Sequence, residues 1–351
     1  MSTNQPIGVK DIAREAKVSI GTVDRVLHNR PGVSSATREI IEKIVKKYNY
    51  QPNILARRLA SKKNLRFATL VPSVSSETEY WAAPLKGIVE AEEQIRHYGI
   101  VIEKFFFDLN DPKTFDVQAR NILKSKFDGI LLAPYFIEKA SKLALESKKK
   151  GIPIVFINSD MPEQDSLSYV GPDLYSSGYM GAHLVNYLVH KNQKVLIVNI
   201  SRIYGAFYHM LKKEEGFRDY FSKNTKKIDI LKTDIKKTDY PSIKKELKKL
   251  FADNDIKAVF VTNSRVFYVS RFFEEAGIKD VFLIGYDYIA KNIEYLQKGP
   301  IDFLICQKPQ EQAYQGIMAL YNHLVLGKEI DPKVYMSIDI LTRENYRFYK
   351  N

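Results

Sequence analysis

The sequence holds one cysteine, Cys306, in 351 residues. No disulfide can close within the chain, and the composition fits a reducing compartment. No apolar run approaches the ~18 residues that a membrane helix requires, so no membrane partner is expected. The first stretch of the chain is polar and charged, without an apolar signal segment, which leads us to expect cytoplasmic localisation. Enzyme signatures are equally scarce. A phosphate-cradling GxxxxGKS or GxxxxGKT loop is absent, as are GxGxxG and GxSxG. The six histidines, His28, His97, His183, His190, His209 and His323, are scattered. They form neither an HExxH pair nor a Cys/His metal set, so neither a metal nor a cofactor is expected.

What is present concentrates at the N-terminus. The chain carries 54 Lys and Arg against 41 Asp and Glu, a net charge of +13. Residues 1–66 contain 14 of those cations and 5 of those anions, so a net of +9 lies in under a fifth of the length. A compact basic segment is the electrostatic footprint of a phosphate binder.

Side-chain spacing gives that segment a shape. Val9, Ile12, Ala13 and Ala16 recur at i, i+3, i+4 and i+7 and share one helical face. Ser19 is a suitable N-cap for a second helix, in which Val23, Val26 and Leu27 point inward and Ile20, Gly21, Asp24, Arg25 and His28 outward. Asn29–Gly32 reads as a loop. Ser34 caps a third helix with Ile40, Ile41, Ile44, Val45 and Tyr48 on one face. After Pro52, residues 53–60 are expected to form a further short basic helix. The VSIGTV stretch has the form of a helix-turn-helix, a unit that places one helix in the DNA major groove. A three-helix bundle without a DNA role has the same apolar spacing, and the charge argues against it.

The remainder alternates apolar strand-like runs with helical patterns. The runs are Phe67–Val71, Val101–Phe107, Gly129–Ala133, Pro153–Ile157, Val195–Ile200, Ile228–Leu231, Ala258–Val261, Val281–Ile284 and Phe303–Cys306. Helical stretches such as Leu85–His97, Asp116–Ser125, Lys139–Lys150, Ser176–Val189 and Gln310–Leu326 lie between them. Continuous apolar strands alternating with helices argue for parallel sheets covered on both faces. The series breaks near Gly171–Tyr175, which suggests two doubly wound lobes with a cleft between them. In such sheets ligands sit beyond the carboxyl ends of the strands. Those ends carry hydrogen-bonding and aromatic residues, a mixture suited to a polyhydroxylated ligand.

Several segments, KDIAREAKVSIGTVDRVL, NRPGVSSATRE and YQPNILARRLA, closely resemble the N-terminal region of LacI/GalR-family transcription regulators. YVGPDLYSSGYMGAHLV, KKEEGFRDYF, FLIGYDY and ICQKP resemble the effector domain of that family, which is similar to periplasmic sugar-binding proteins. The fold this implies is a small all-α helix-turn-helix domain plus an α/β effector domain of two doubly wound parallel-sheet lobes, of the type I periplasmic-binding-protein kind. The expected boundaries are 1–50 for the helix-turn-helix, 51–65 for a hinge helix and linker, and 66–351 for the two-lobed domain. Lobe 1 takes about 66–173 and 306–330, and lobe 2 about 174–305 and 331–351.

The resemblance also implies residue roles. Ile20, Gly21 and Arg25 fall where relatives read bases, Ser19 and Thr22 where they hold phosphates, and Asn53 fits a backbone contact. Leu59 matches a minor-groove wedge, flanked by Arg57 and Arg58. Two residues depart from the pattern. Lys17 stands where the turn usually has Gly and a positive φ is needed. Asp24 replaces a usual Ser, and its carboxylate needs a partner, either cytosine N4 or His28. Buried core filling is the alternative for Ile20. In the effector part, Asp287, Asn263 and Gln307 are the best-matched ligand contacts. Asn158 falls where many relatives have Asp, and Lys213 where sugar-binding relatives have Arg. Lys lacks the planar fork, and Arg202 is a candidate to supply it. Tyr80 and Trp81 are candidates to stack on a ligand ring, with core packing as the alternative.

The expected function is a sequence-specific transcription regulator, by family habit a repressor. It would act as a homodimer or higher oligomer on a pseudo-palindromic double-stranded operator and answer to a small effector, a sugar or sugar derivative. Alternatives are a ligand-activated or co-repressor-dependent regulator responding to a nucleoside, a ligand sensor whose N-terminal bundle contacts protein, and an enzyme with a tethered helix-turn-helix.

Overall fold

A computed structural model describes residues 7–27, 29–50, 64–75, 79–202, 208–224 and 227–351. The chain divides into two compact units, Met1–Lys62 and Lys63–Asn351.

In the first unit, helices Val9–Glu15, Ile20–Leu27 and Ser35–Lys47 pack around Ile12, Ala13, Val23, Val26, Ile41 and Ile44. The capping residues behave as their chemistry dictates. Ser19 Oγ accepts from the Thr22 amide at 3.1 Å, and Ser34 Oγ accepts from the Thr37 amide at 3.2 Å. The turn between the first two helices puts Lys17 in the left-handed region at φ 53°, the conformation for which glycine is the easier residue. One expectation fails on the third helix. Ile40 and Tyr48 are exposed, because the buried stripe runs through Ile41 and Ile44, and Tyr50, beyond the helix end, packs on the core instead.

The second unit contains two six-stranded sheets. The strands are β1 Leu65–Pro72, β2 Ile100–Phe107, β3 Gly129–Leu132, β4 Ile154–Ile157, β5 Ser168–Gly171, β6 Lys194–Ile200, β7 Asp229–Ile235, β8 Ile256–Val261, β9 Phe282–Tyr286, β10 Phe303–Cys306, β11 Lys333–Tyr335 and β12 Asp339–Leu341. The first sheet runs β2-β1-β3-β4-β5-β11 and the second β7-β6-β8-β9-β10-β12. All pairings are parallel except β10 with β12, which is antiparallel. Each sheet is therefore doubly wound, and its strand order reverses beside β1 or β6, the switch point at which such folds build ligand crevices.

Nine of these strands coincide with the apolar runs read from the sequence. The three others are β5, β11 and β12; β5 opens on Ser168 and closes on Gly171, and β11 and β12 have three residues each, so none shows an apolar run. The lobe boundary changes with them. Lys333–Tyr335 pairs with Tyr169–Gly171 in the first sheet, so this strand belongs to lobe 1 and the expected assignment of 331–351 to lobe 2 does not hold for it. Three crossings follow: β5 into the helix Leu174–Leu188, β10 into the helix Pro309–Leu324, and β11 into β12.

Small residues set the helix spacing in the second lobe. A Cβ on Gly178 would lie 1.9 Å from the Lys213 carbonyl oxygen, and one on Gly216 would lie 2.0 Å from that of Tyr175. The helices Leu174–Leu188 and Tyr208–Lys223 therefore cross backbone to backbone, and the crossing fixes where Lys213 starts.

Candidate nucleic-acid interface and ligand cleft

On the first unit, Ile20 is 49% exposed, which removes core filling as its role. Gly21 and Arg25 are exposed on the same helix, and the Ser19 and Thr22 hydroxyls bond each other at 2.9 Å at its N-terminal end. An amide-rich helix start flanked by hydroxyls suits a phosphate oxygen, and an exposed guanidinium one turn on suits a guanine edge. Asp24 forms an ion pair with Arg30 at 3.2 Å. One protein partner thus comes from the loop after the helix, while His28, Asn53, Arg57, Arg58 and Leu59 lie outside the described residues.

In the second unit, a cavity lies between the lobes at the carboxyl ends of the strands. All seven effector-domain candidates line it: Tyr80, Trp81, Asn158, Lys213, Asn263, Asp287 and Gln307. Lys213 comes from the second turn of the helix Tyr208–Lys223, and the others from strand ends or a helix start. Asn158 is the first residue past β4, Asp287 the first past β9, and Gln307 the first past β10.

Their hydrogen bonds hold them in place. Asn158 Nδ2 donates to the Tyr80 hydroxyl at 2.7 Å, and its backbone amide donates to Gln312 Oε1 at 3.0 Å. Gln307 Nε2 donates to Asp287 Oδ1 at 2.9 Å, which leaves the buried Gln307 Oε1 without a protein donor. Asn263 Nδ2 donates to the Ile200 carbonyl at 2.8 Å. Lys213 lies 2% exposed, donates from Nζ to the Thr262 carbonyl at 3.3 Å, and sits 3.5 Å from the centroid of the Tyr286 ring. Trp81 is almost fully buried and meets Tyr80 edge to face, so it is both a core residue and a wall of the cavity.

Burial dominates the electrostatics. It pulls the Lys213 ammonium down to about 8, with the nearby Asp287 charge opposing the shift. It raises the Asp287 carboxyl, with Lys213 and Gln307 opposing. His209 is pushed to about 3 by burial and by the Lys213 charge, so its imidazole is neutral at physiological pH.

Sequence reasoning missed Arg265 and His209. His209 stands one helical turn before Lys213, and Arg265 two residues after Asn263, so both could have been read from the spacing. Arg202 is not among the cavity's lining residues; its Nε donates to Thr238 Oγ1 at 2.9 Å. Arg265, whose guanidinium donates to the Ile200 carbonyl at 3.1 Å, is the arginine that faces the site.

A switch-point cleft joined to a helix-turn-helix defines the class of ligand-responsive transcription regulators. Residues 67–329 match the periplasmic binding protein domain, a family to which the chain belongs, and residues 8–53 match the bacterial regulatory proteins of the lacI family. Catabolite control protein A of Staphylococcus epidermidis is 25% identical over 226 residues, 64% of each chain, and its Staphylococcus xylosus counterpart is 27% identical over 54% of each. These matches span about half to two thirds of the curated relatives' length. A candidate LacI transcriptional regulator from Bacteroides fragilis superposes with a TM-score of 0.78 at 27% identity, covering 82% of this chain and all of that one. GanP, a glucose-galactose binding protein from Geobacillus stearothermophilus, shares the fold with a TM-score of 0.70 at 20% identity, over 81% of this chain and 99% of its own. No helix among the described residues is long and apolar enough to cross a membrane.

Proposed function

We propose that the protein is a cytoplasmic, DNA-bound repressor that works as a homodimer on a pseudo-palindromic operator and changes operator affinity when a sugar or sugar derivative fills the cleft. Arg25 and Ile20 read bases, Ser19 and Thr22 hold phosphates, and Asn53, Arg57 and Leu59 act in the hinge segment. Ligand contacts fall to Tyr80, Trp81, Asn158, Lys213, Asn263, Asp287 and Gln307. The observation that carries the reading is the convergence of amides, a carboxylate and flat rings from both lobes on one cavity. Amides and carboxylates pair with hydroxyls, and rings cover C–H faces. Solved neighbours of the same fold bind such ligands, including glucose and galactose in GanP.

The control runs through a population shift. A ligand that touches both lobes favours the closed arrangement, and the operator-binding state gains or loses population in proportion to that preference. The test is operator binding measured with and without candidate sugars. Asp287→Ala is expected to remove the ligand response of an operator complex that still forms. A response that survives the substitution places the ligand elsewhere. Chemical turnover of any bound sugar would instead favour an enzyme with a tethered helix-turn-helix.

A further inference from the structure

The crossing from β10 into the helix Pro309–Leu324 turns on Lys308, which is left-handed at φ 52°. Lysine does not settle readily into that conformation, so surrounding contacts must hold it. Nor does the Lys308 side chain cap the helix that it opens. The first amides of a helix need acceptors from outside it. Residues 346–351 meet both needs. The Lys308 amide donates to the Tyr349 hydroxyl at 3.0 Å, and the Gln310 amide donates to Asn351 Oδ1 at 3.0 Å. The Lys308 ammonium lies 3.8 Å from Asp339 on β12.

Those six residues are rooted in lobe 2. Tyr346 and Tyr349 pack on the core that β8, β9 and β10 share, and the Tyr346 hydroxyl accepts from Gln297. The Tyr349 ring stacks on Tyr288 with centroids 5.2 Å apart. The helix that they cap packs on β3, β4 and β5 in lobe 1. In its first turn, the buried Gln312 ties two cleft residues together. Its Oε1 accepts from the Asn158 amide at 3.0 Å, and its Nε2 donates to the Gln307 carbonyl at 2.6 Å. We propose that residues 346–351 are a strap across the hinge, in which Tyr349 and Asn351 are positioning residues that hold the lobes where Asn158, Gln307 and Asp287 gather on one cavity. Contacts made in one arrangement of two lobes and not in another shift the balance between them. The strap therefore sets how far the cleft is assembled before any ligand arrives. The inference goes beyond the proposed regulator and requires only the two lobes and their hinge, whatever the ligand.

The test needs no ligand, because Trp81 is the single tryptophan of the chain and lines the cleft. In the full chain, Tyr349→Phe combined with Asn351→Ala removes both acceptors and keeps an aromatic ring against Tyr288. Acrylamide quenching of Trp81 fluorescence is expected to rise about two-fold or more, as the cleft opens more often. Hydrogen exchange in peptides over residues 154–160 and 303–312 is expected to quicken about ten-fold or more. Tyr349→Phe alone, which loses one hydroxyl, is expected to show both changes in smaller measure. Asn351→Asp keeps an acceptor and adds a charge that a helix start favours, so it is expected to match the natural chain on both readouts. Unchanged quenching and exchange in the double variant overturn the strap. So does exchange that quickens equally over residues 256–261 in β8 with Trp81 unmoved, which would make the segment a prop for lobe 2 alone.

Discussion

Asn158 and Asp287 occupy equivalent places in the two lobes. Each is the first residue past the fourth strand of its sheet, counted from β2 or β7, and each is left-handed, with φ 69° and 76°. The two chains thus turn the same way as they leave β4 and β9, and both side chains enter the cleft. Asn and Asp are the residues other than glycine that adopt this backbone most readily. One conformational requirement therefore explains two of the site residues, and chemistry decides which is amide and which is carboxylate.

Stability measurements on Asn158 variants test that requirement. Asn158→Ala and Asn158→Gly both lose the bond to the Tyr80 hydroxyl. Alanine must also hold a left-handed φ, at ~1 kcal/mol or more, whereas glycine holds it freely. The alanine variant is expected to be the less stable of the two in urea denaturation, the reverse of the usual order. Equal stabilities mean that the turn relaxes to an ordinary φ.

The helix crossing under Lys213 gives a second expectation. A methyl group at Gly178 would lie 1.9 Å from the Lys213 carbonyl oxygen, an approach that backbone cannot yield to without moving the helix. Gly178→Ala is expected to destabilise the effector unit by about 2–4 kcal/mol and to weaken the ligand. Gly151→Ala is the comparison. Unlike the helical Gly178 it carries a positive φ, of 67°, but a Cβ there meets nothing within 4 Å, so only the conformational penalty applies. Similar losses at both positions would mean that the crossing is looser than the geometry states.

Nine of the twelve strands were legible because parallel strands buried on both faces are continuously apolar, and strand ends in a doubly wound fold point to the ligand. That logic reached Asn158, Asn263, Asp287 and Gln307 directly. It did not reach Arg265, which follows a strand end by several residues and starts a helix. Nor did it reach β11, three residues with mostly exposed side chains that join the first sheet only through long-range pairing. The Asp24–Arg30 pair was not legible for a related reason: the loop folds Arg30 back onto the carboxylate, and no periodicity encodes a loop contact.

The Asp24–Arg30 pair has a consequence for DNA. Asp24 places negative charge on the helix that carries Arg25 and holds one cation away from phosphate. Asp24→Asn is expected to strengthen binding to random duplex and to steepen its salt dependence by about one counterion. Arg25→Ala, in contrast, is expected to relax base preference at one position of each half-site, by ~1–3 kcal/mol of discrimination. Salt-dependent binding to matched and scrambled duplexes separates the two effects. An unchanged salt slope in the Asn variant would show that Arg30 does not approach phosphate once released.

The buried ammonium of Lys213 makes stability depend on pH in a defined direction. Its pKa in the folded chain is about 8, below the ordinary lysine value of 10.5, because burial disfavours the charged form. Between those values the unfolded chain keeps a proton that the folded chain has shed. Unfolding then takes up protons, and the contribution of this group to stability rises with pH across that window. Below about pH 8 both states are protonated and the full desolvation penalty stands. Lys213→Met removes the titration, while the partner lost by Asp287 adds an offset that is the same throughout the window. The stability of the natural chain relative to Lys213→Met is therefore expected to climb by on the order of 1–3 kcal/mol from pH 7.5 to pH 10, measured by urea unfolding at each pH. A difference that stays flat would mean that Lys213 keeps its proton in the folded state, and that water reaches the ammonium behind Tyr286.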